Sequence, residues 1–226
     1  MFEKEELIVK KVCLYIMLIL FAFPLSAKAS IANGDFETGD LSSWERNLVE
    51  SLLGNADVID SYTFEDGTTI NPYAGNYMAM LGSDTSLINM KRLNKIKQTT
   101  KATTSLEFMY NFWSYRHRLY PPSSFEVRVN DDSVFSFSES EIDQSNELNS
   151  TGWTYVSLDL SDYIGEDSIT ISFLAGDEYG VCSPTGVFLD NINVHATPIP
   201  GAIWLFGTGM LGLWGMRRKK IGCART

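Results

Sequence analysis

The chain has 226 residues, 44% hydrophobic and 12% aromatic, with a formal charge of −10. These are globular values with room for one domain of ordinary size, and they exclude a disordered chain. Residues 30–195 hold 9 Lys and Arg against 25 Asp and Glu, which excludes nucleic acid as a partner, since that needs clustered cations to displace counterions.

In chain order, residues 1–29 read as a secretory signal peptide. Lys10 and Lys11 precede the apolar run 12–23, Pro24 breaks it, and Ala27-Lys28-Ala29 fits an A-x-A cleavage site. The run is too short for a stable span. Glu3, Glu5 and Glu6 dilute the positive n-region and Lys28 sits inside the cleavage triplet, so an uncleaved signal-anchor is the alternative. Cys13 lacks the small neighbours of a lipobox. With Cys13 here and Cys223 in the tail, Cys182 is the only cysteine of the body, which leaves no disulfide framework or zinc site. His117 and His195 are too few for an imidazole cluster.

The body, residues 30–195, is expected to be all-β. Leu106, Phe108, Tyr110 and Phe112 alternate with Ser105, Glu107, Met109 and Asn111, a period of two. Phe125, Val127 and Val129 repeat it, and Asn130-Asp131-Asp132 supplies turn chemistry. Phe135 and Phe137, then Val156, Leu158 and Leu160, then Ile169, Ile171 and Phe173 continue the pattern, and 188–194 closes the domain. Weak helical periodicity occurs only at 40–53 and 85–97. Many short strands at ~8–12-residue spacing indicate an antiparallel sandwich.

Two motifs sharpen this. The run Asn33-Gly34-Asp35-Phe36-Glu37-Thr38-Gly39-Asp40-Leu41-Ser42-Ser43-Trp44 resembles the opening of family-4/9/22-type carbohydrate-binding modules, and Val187-Phe188-Leu189-Asp190-Asn191-Ile192-Asn193-Val194 resembles their closing strand. Residues 75–82 and 152–160 look like interior strands of the same modules. The resemblance implies a jelly-roll β-sandwich and speaks for fold more than for ligand.

Three acids stand out. Asp190 is in phase with Phe188, Ile192 and Val194, so an inward-packing face would bury its carboxylate, which then needs a cation or several donors. Asp35 and Glu37 share one face of the first segment. Calcium accepts carboxylates and backbone carbonyls, and the resembling modules carry a structural calcium at such a place. Asp35, Glu37 and Asp190 are thus the expected Ca2+ ligands. The alternative has Asp190 in turn hydrogen bonds and the other two solvated. For a sugar-stacking surface the expectation falls on Trp113, Tyr115 and Tyr120, beside Arg116, His117 and Arg118; core or loop use of these rings is the alternative.

The tail, 196–226, carries 18 uncharged residues at 199–216, about 27 Å of helix against a hydrocarbon core of about 30 Å. Trp204 and Trp214 lie toward its ends, and Arg217, Arg218, Lys219 and Lys220 follow at once, a stop by the positive-inside rule. Pro198-Ile199-Pro200-Gly201, a Gly-rich apolar helix and this basic cluster together resemble the PEP-CTERM sorting signal of Gram-negative envelope and matrix proteins, with Ile199 where Glu is commonest. The resemblance implies processing near the Pro motif by an exosortase-type transpeptidase, after transient anchoring in the inner membrane. An ordinary single-span anchor is the alternative.

No G-x-S-x-G, H-E-x-x-H or phosphate-loop motif occurs, and no acid pair stands out as catalytic. The expected function is therefore that of a non-enzymatic envelope or extracellular-matrix protein that binds polysaccharide. A glycoside-acting enzyme, or an anchored protein whose body is a spacer, are the other possibilities.

Overall fold

Alternating apolar residues place successive side chains on opposite faces of a strand, and thirteen strands form among the described residues. The computed structural model describes residues 30–47, 55–83, 92–115, 122–143, 145–146, 148–177 and 185–195. The expected signal peptide, the sorting segment 196–226 and Tyr120 lie outside them. The strands are β1 (Glu45–Asn47), β2 (Asn55–Ile59), β3 (Tyr62–Thr63), β4 (Thr69–Ile70), β5 (Met78–Ser83), β6 (Arg92–Thr100) and β7 (Ser105–Tyr115). They continue as β8 (Ser124–Val129), β9 (Asp132–Ser138), β10 (Leu148–Ser150), β11 (Thr154–Asp159), β12 (Ile169–Asp177) and β13 (Thr185–His195).

They assemble as a β-sandwich. One antiparallel sheet has the order β1-β6-β12-β8-β9 and the other β10-β7-β13-β5-β2, with β11 also paired to β7. Leu106, Phe108, Tyr110 and Phe112 of β7 face the first sheet, whose Phe125, Val127, Ile171 and Phe173 meet them in one buried cluster. Phe108 stands edge-on to Phe173 at 5.3 Å, and Tyr110 lies 5.4 Å from Phe125. Each buried Phe contributes roughly 1.5–3 kcal/mol relative to exposure. Asn130 and Asp131 both take positive φ, 51° and 73°, in the two-residue turn between β8 and β9, the twist that a tight hairpin requires.

The helical periodicity at 40–53 and 85–97 does not produce helices where the structure describes it: Glu45–Asn47 and Arg92–Thr100 are β1 and β6. β6 is paired on both edges, by β1 and β12, so ladder hydrogen bonds override a weak local preference. Of the two expected interior strands, Met78–Ser83 sits between β13 and β2. Among the described residues Thr154–Asp159 pairs with β7 alone, as an edge strand.

β7 is buried on both faces. Its outer side carries Trp113 into a second cluster with Phe64, Met78 and Phe188. The short β3–β4 hairpin closes over it, held by Phe64 N–H to the Thr68 carbonyl at 2.8 Å and Gly67 N–H to the Phe64 carbonyl at 2.9 Å. A hairpin this small is marginal alone, so Phe64 and Tyr62 anchor it by packing.

Candidate functional site

The first segment folds as a loop. The Asn33 side-chain amide donates to the carbonyls of Asp40 (2.9 Å) and Ser42 (3.1 Å), and the Trp44 indole donates to the Asn33 carbonyl at 2.9 Å. Phe36, at φ 56°, is driven into the core beside Trp44. This loop lies against β13: Ile192 N–H donates to the Gly34 carbonyl at 2.8 Å. A Cβ on Gly34 would collide with the Ile192 carbonyl, so only glycine allows the approach.

β13 changes face halfway. Val187 and Leu189 point into the inter-sheet core, and Phe188 packs in the outer cluster. A register shift between Asp190 and Asn193, with Asn191 at φ 51°, then turns Ile192 and Val194 inward. The expected common face of Phe188, Asp190, Ile192 and Val194 is therefore corrected: the bulge separates Phe188 from the last two.

Asp190 is buried all the same, at 0% exposure. Its carboxylate accepts from Ala74 N–H at 2.9 Å and from Asn191 N–H at 2.6 Å. Burial pushes its pKa up to about 6; the N–H groups of Ala74, Asn191 and Tyr73 oppose the rise, and the charge of Glu37 adds to it. Glu37 accepts from Asn76 N–H (2.7 Å), the Asn76 side chain (3.0 Å) and Tyr77 N–H (3.0 Å). The Asn76 N–H is the main cause holding its pKa below the usual carboxylate value. The two acids thus grip one loop, 73–77, from two directions. Gly75, at φ 68°, passes so close that a Cβ would run into the Glu37 carboxylate.

Asp35 stays apart. It is exposed, and among the described residues its carboxylate receives only Glu37 N–H, at 3.5 Å. Among the described residues no three His, Cys, Asp or Glu side chains gather closely enough to hold a metal. The structure brings together Glu37 and Asp190, without Asp35. A divalent cation suits that pair in one respect, because it would favour the ionised form of a carboxylate that burial first, and the Glu37 charge after it, disfavours.

The expected stacking surface is also redrawn. Trp113 is 1% exposed, stacked on Tyr62 at 6.0 Å and Phe188 at 6.3 Å, with Phe64 edge-on at 5.1 Å. Enclosed by these rings it is a core residue, and its indole N–H has no hydrogen-bond partner among the described residues. Tyr115 is half-buried against Phe64 and Trp113, both at 6.2 Å.

Other aromatics are open. Tyr73 is 49% and Tyr155 58% exposed. Trp153 meets Tyr73 edge-on at 6.1 Å, and its indole donates to the Asn71 carbonyl at 3.0 Å. Trp153 borders the outer cluster. Tyr155 is out of phase with Val156 and Leu158, which pack inward. Tyr73, Trp153 and Tyr155 therefore share the outer side of the second sheet at its β11 edge. The alternation at 153–158 signalled Tyr155, but nothing local ties it to residue 73.

No protein-family model and no curated protein matches the chain. Solved structures do. A carbohydrate-binding module, TmCBM61, in complex with β-1,4-galactotriose is 15% identical, covering 74% of this chain and 97% of that one at a TM-score of 0.41. The K1 cleaved adhesin domain of Lys-gingipain from Porphyromonas gingivalis is 11% identical, covering 76% and 100%, at 0.48. A cyclase from Fischerella sp. TAU is 13% identical, covering 76% and 98%, at 0.45. The neighbours thus include binding modules, adhesins and enzymes, and at these identities and scores they decide nothing about ligand or reaction.

Proposed function

We propose that this chain is an exported, non-catalytic protein whose β-sandwich, of the jelly-roll kind, binds polysaccharide on the aromatic row Tyr73–Trp153–Tyr155. The observation that carries this reading is the exposure of Tyr73 and Tyr155 beside a half-buried Trp153 held in place by the frame. Apolar side chains scattered singly over a surface are ordinary, whereas neighbouring aromatics on one face mark a contact surface. Pyranose rings present apolar C–H faces that stack on such surfaces, with polar neighbours selecting the hydroxyls. Glu37 and Asp190 hold the loop that carries Tyr73, and the Asn71 carbonyl fixes Trp153. The row is therefore positioned before a ligand arrives, which lowers the ordering cost of binding.

Export and sorting belong to the same reading: a leader at 1–29, and a PEP-CTERM-like tail in which Pro198, Ile199, Pro200 and Gly201 mark the cut by an exosortase-type enzyme. Calcium enters as a structural ion. Glu37 and Asp190 are the carboxylates that would hold it, and its role would be to neutralise two acids that share one loop.

The test is retention on a panel of immobilised polysaccharides. The wild-type protein should be retained on at least one, and Trp153→Ala and Tyr155→Ala should each weaken retention about tenfold or more. Retention unchanged in both variants removes the aromatic row as the binding face. For sorting, intact mass of material from the medium and cell surface should lack the residues after about Pro200; persistence of Arg217–Lys220 supports a plain anchor instead.

A further inference from the structure

A second opening lies on the other side of the same edge. β10 pairs with the end of β7, Leu148 opposite Tyr115, while β11 pairs with its start, Thr154 opposite Tyr110. Where the two meet, a cleft of about 510 Å³ opens, lined by Tyr110, Phe137, Glu141, Asp143, Asn146 and Thr154 among others. Alternation on β11 puts Thr154 toward this cleft and Tyr155 toward the aromatic row, so the two features stand back to back across one strand.

The floor is made by a side chain that the fold leaves incomplete. Tyr110 is 4% exposed, its ring packed in the core against Phe125, Phe135 and Phe137. No hydrogen bond of its hydroxyl is found among the described residues. Tyrosine hydroxyls this deep normally find a partner, and here the hydroxyl borders the cleft. Burial, and then the charge of Glu141, push its pKa up, so it remains a neutral donor.

The walls are acidic. Glu141 caps the turn at Glu139–Glu141 by accepting Ser138 N–H at 2.8 Å on one oxygen, and its second oxygen has no partner among the described residues. Asp143 has neither a hydrogen bond nor an ion pair among them. None of the described lining residues is Lys, Arg or His. The imbalance extends well beyond the cleft: residues 129–195 hold 13 Asp and Glu and no Lys or Arg. A cleft lined by one sign of charge concentrates the opposite sign.

We propose that this cleft takes an amino-sugar residue carrying a free ammonium group, with the cation on the carboxylates of Glu141 and Asp143 and a sugar hydroxyl on Tyr110. Carboxylates only accept hydrogen bonds, and an ammonium only donates them. A charge-assisted pair in a half-enclosed cleft exceeds a neutral contact in strength. Phe137, half-buried at the cleft, supplies the apolar surface that a pyranose needs. Acidic sugars are repelled, and an N-acetylated residue has lost the cation. The inference rests on the polysaccharide-binding reading for the ligand being a sugar, and on the cleft alone for its charge.

The experiment is calorimetric titration of the purified full-length protein with a glucosamine oligomer bearing free amines, its N-acetylated counterpart, a neutral glucan oligomer and a simple polyamine, in mildly acidic, low-salt buffer. The free-amine oligomer should bind at least about tenfold more tightly than the others. Glu141→Gln keeps the cap acceptor, Asp143→Asn keeps the shape and Tyr110→Phe keeps the core ring; each should lose several-fold affinity for it while melting near wild type. Equal affinity for the N-acetylated oligomer, equal affinity for the polyamine, or indifference to all three variants overturns the proposal. Trp153→Ala and Tyr155→Ala form the separate arm. Free-amine binding lost only there overturns the cleft and spares the aromatic row; polymer retention lost nowhere while the cleft variants fail overturns the row and spares the cleft.

Discussion

Two pairs of carboxylates in one sandwich are used in opposite ways. Glu37 and Asp190 spend their lone pairs on the protein's own backbone, taking N–H groups from Ala74, Asn76, Tyr77 and Asn191. Glu141 and Asp143 border open space, and one cap bond from Ser138 is the only hydrogen bond that the pair receives among the described residues. The same chemical group is tied to its own loop where donors converge on it, with only its remaining lone pairs left for a cation, and is open to a larger ligand where they do not. Carboxylate count alone, high throughout this chain, separates neither pair from the rest; the donors do.

The largest expected effect comes from disturbing the first pair through the loop it holds. Gly75→Ala forces a side chain at φ 68° against the Glu37 carboxylate, and a loss of about 3 kcal/mol of stability is expected in urea unfolding. Tyr73 should then lose its fixed place beside Trp153, so polymer retention should fall with it. A stable Gly75→Ala protein with full retention would break the link between acid clamp and aromatic row.

Next comes pH, measured with a chelator present. Asp190 titrates at about 6 in the folded protein against an ordinary 3.8, so the folded state holds the proton more tightly than the unfolded one. Ionised Asp190 therefore costs on the order of 3 kcal/mol at neutral pH, and stability should rise as pH falls through about 6 toward the ordinary 3.8. Glu37 has the opposite sign: its lowered pKa contributes stability above its unfolded value that is lost on further acidification. A stability maximum is expected between the two. Asp190→Asn should flatten the upper limb, and a curve that rises steadily from pH 5 to 7 in wild type would show that Asp190 is not the strained member. Added calcium should raise the melting temperature at pH 7 through the ionised pair, and that increment should vanish in Asp190→Asn.

The smallest effects belong to the second pair. Glu141→Gln and Asp143→Asn should each change stability by no more than about 0.5 kcal/mol, as exposed substitutions without lost partners do. A larger loss would place them with the first pair as structural groups.

What the sequence made legible follows from range. The row Leu106–Phe108–Tyr110–Phe112 and the turn at Asn130–Asp131 are local signals, and both appear in the sandwich as expected. The burial of Asp190 was also legible, but its face was not. The bulge at Asn191 follows from Gly34 packing against Ile192, which are distant in sequence. Trp113 and Trp153 look alike in sequence. Tyr62 and Phe64, on a hairpin about fifty residues upstream, cover the first, while the second is left at the rim. The aromatic row joins residue 73 to residues 153 and 155, and the cleft joins residue 110 to 137–154; no window of the chain contains either.

Polymer lying on Tyr73, Trp153 and Tyr155 would shield the two exposed tyrosines from reagents in solution. Tyrosine-selective chemical modification followed by peptide mass mapping tests it most directly. In the free protein Tyr73 and Tyr155 should react fastest among the described tyrosines, and a saturating, retained polysaccharide should slow both while Trp153→Ala abolishes that protection. Modification of Tyr73 and Tyr155 at unchanged rates under bound polymer would contradict the account.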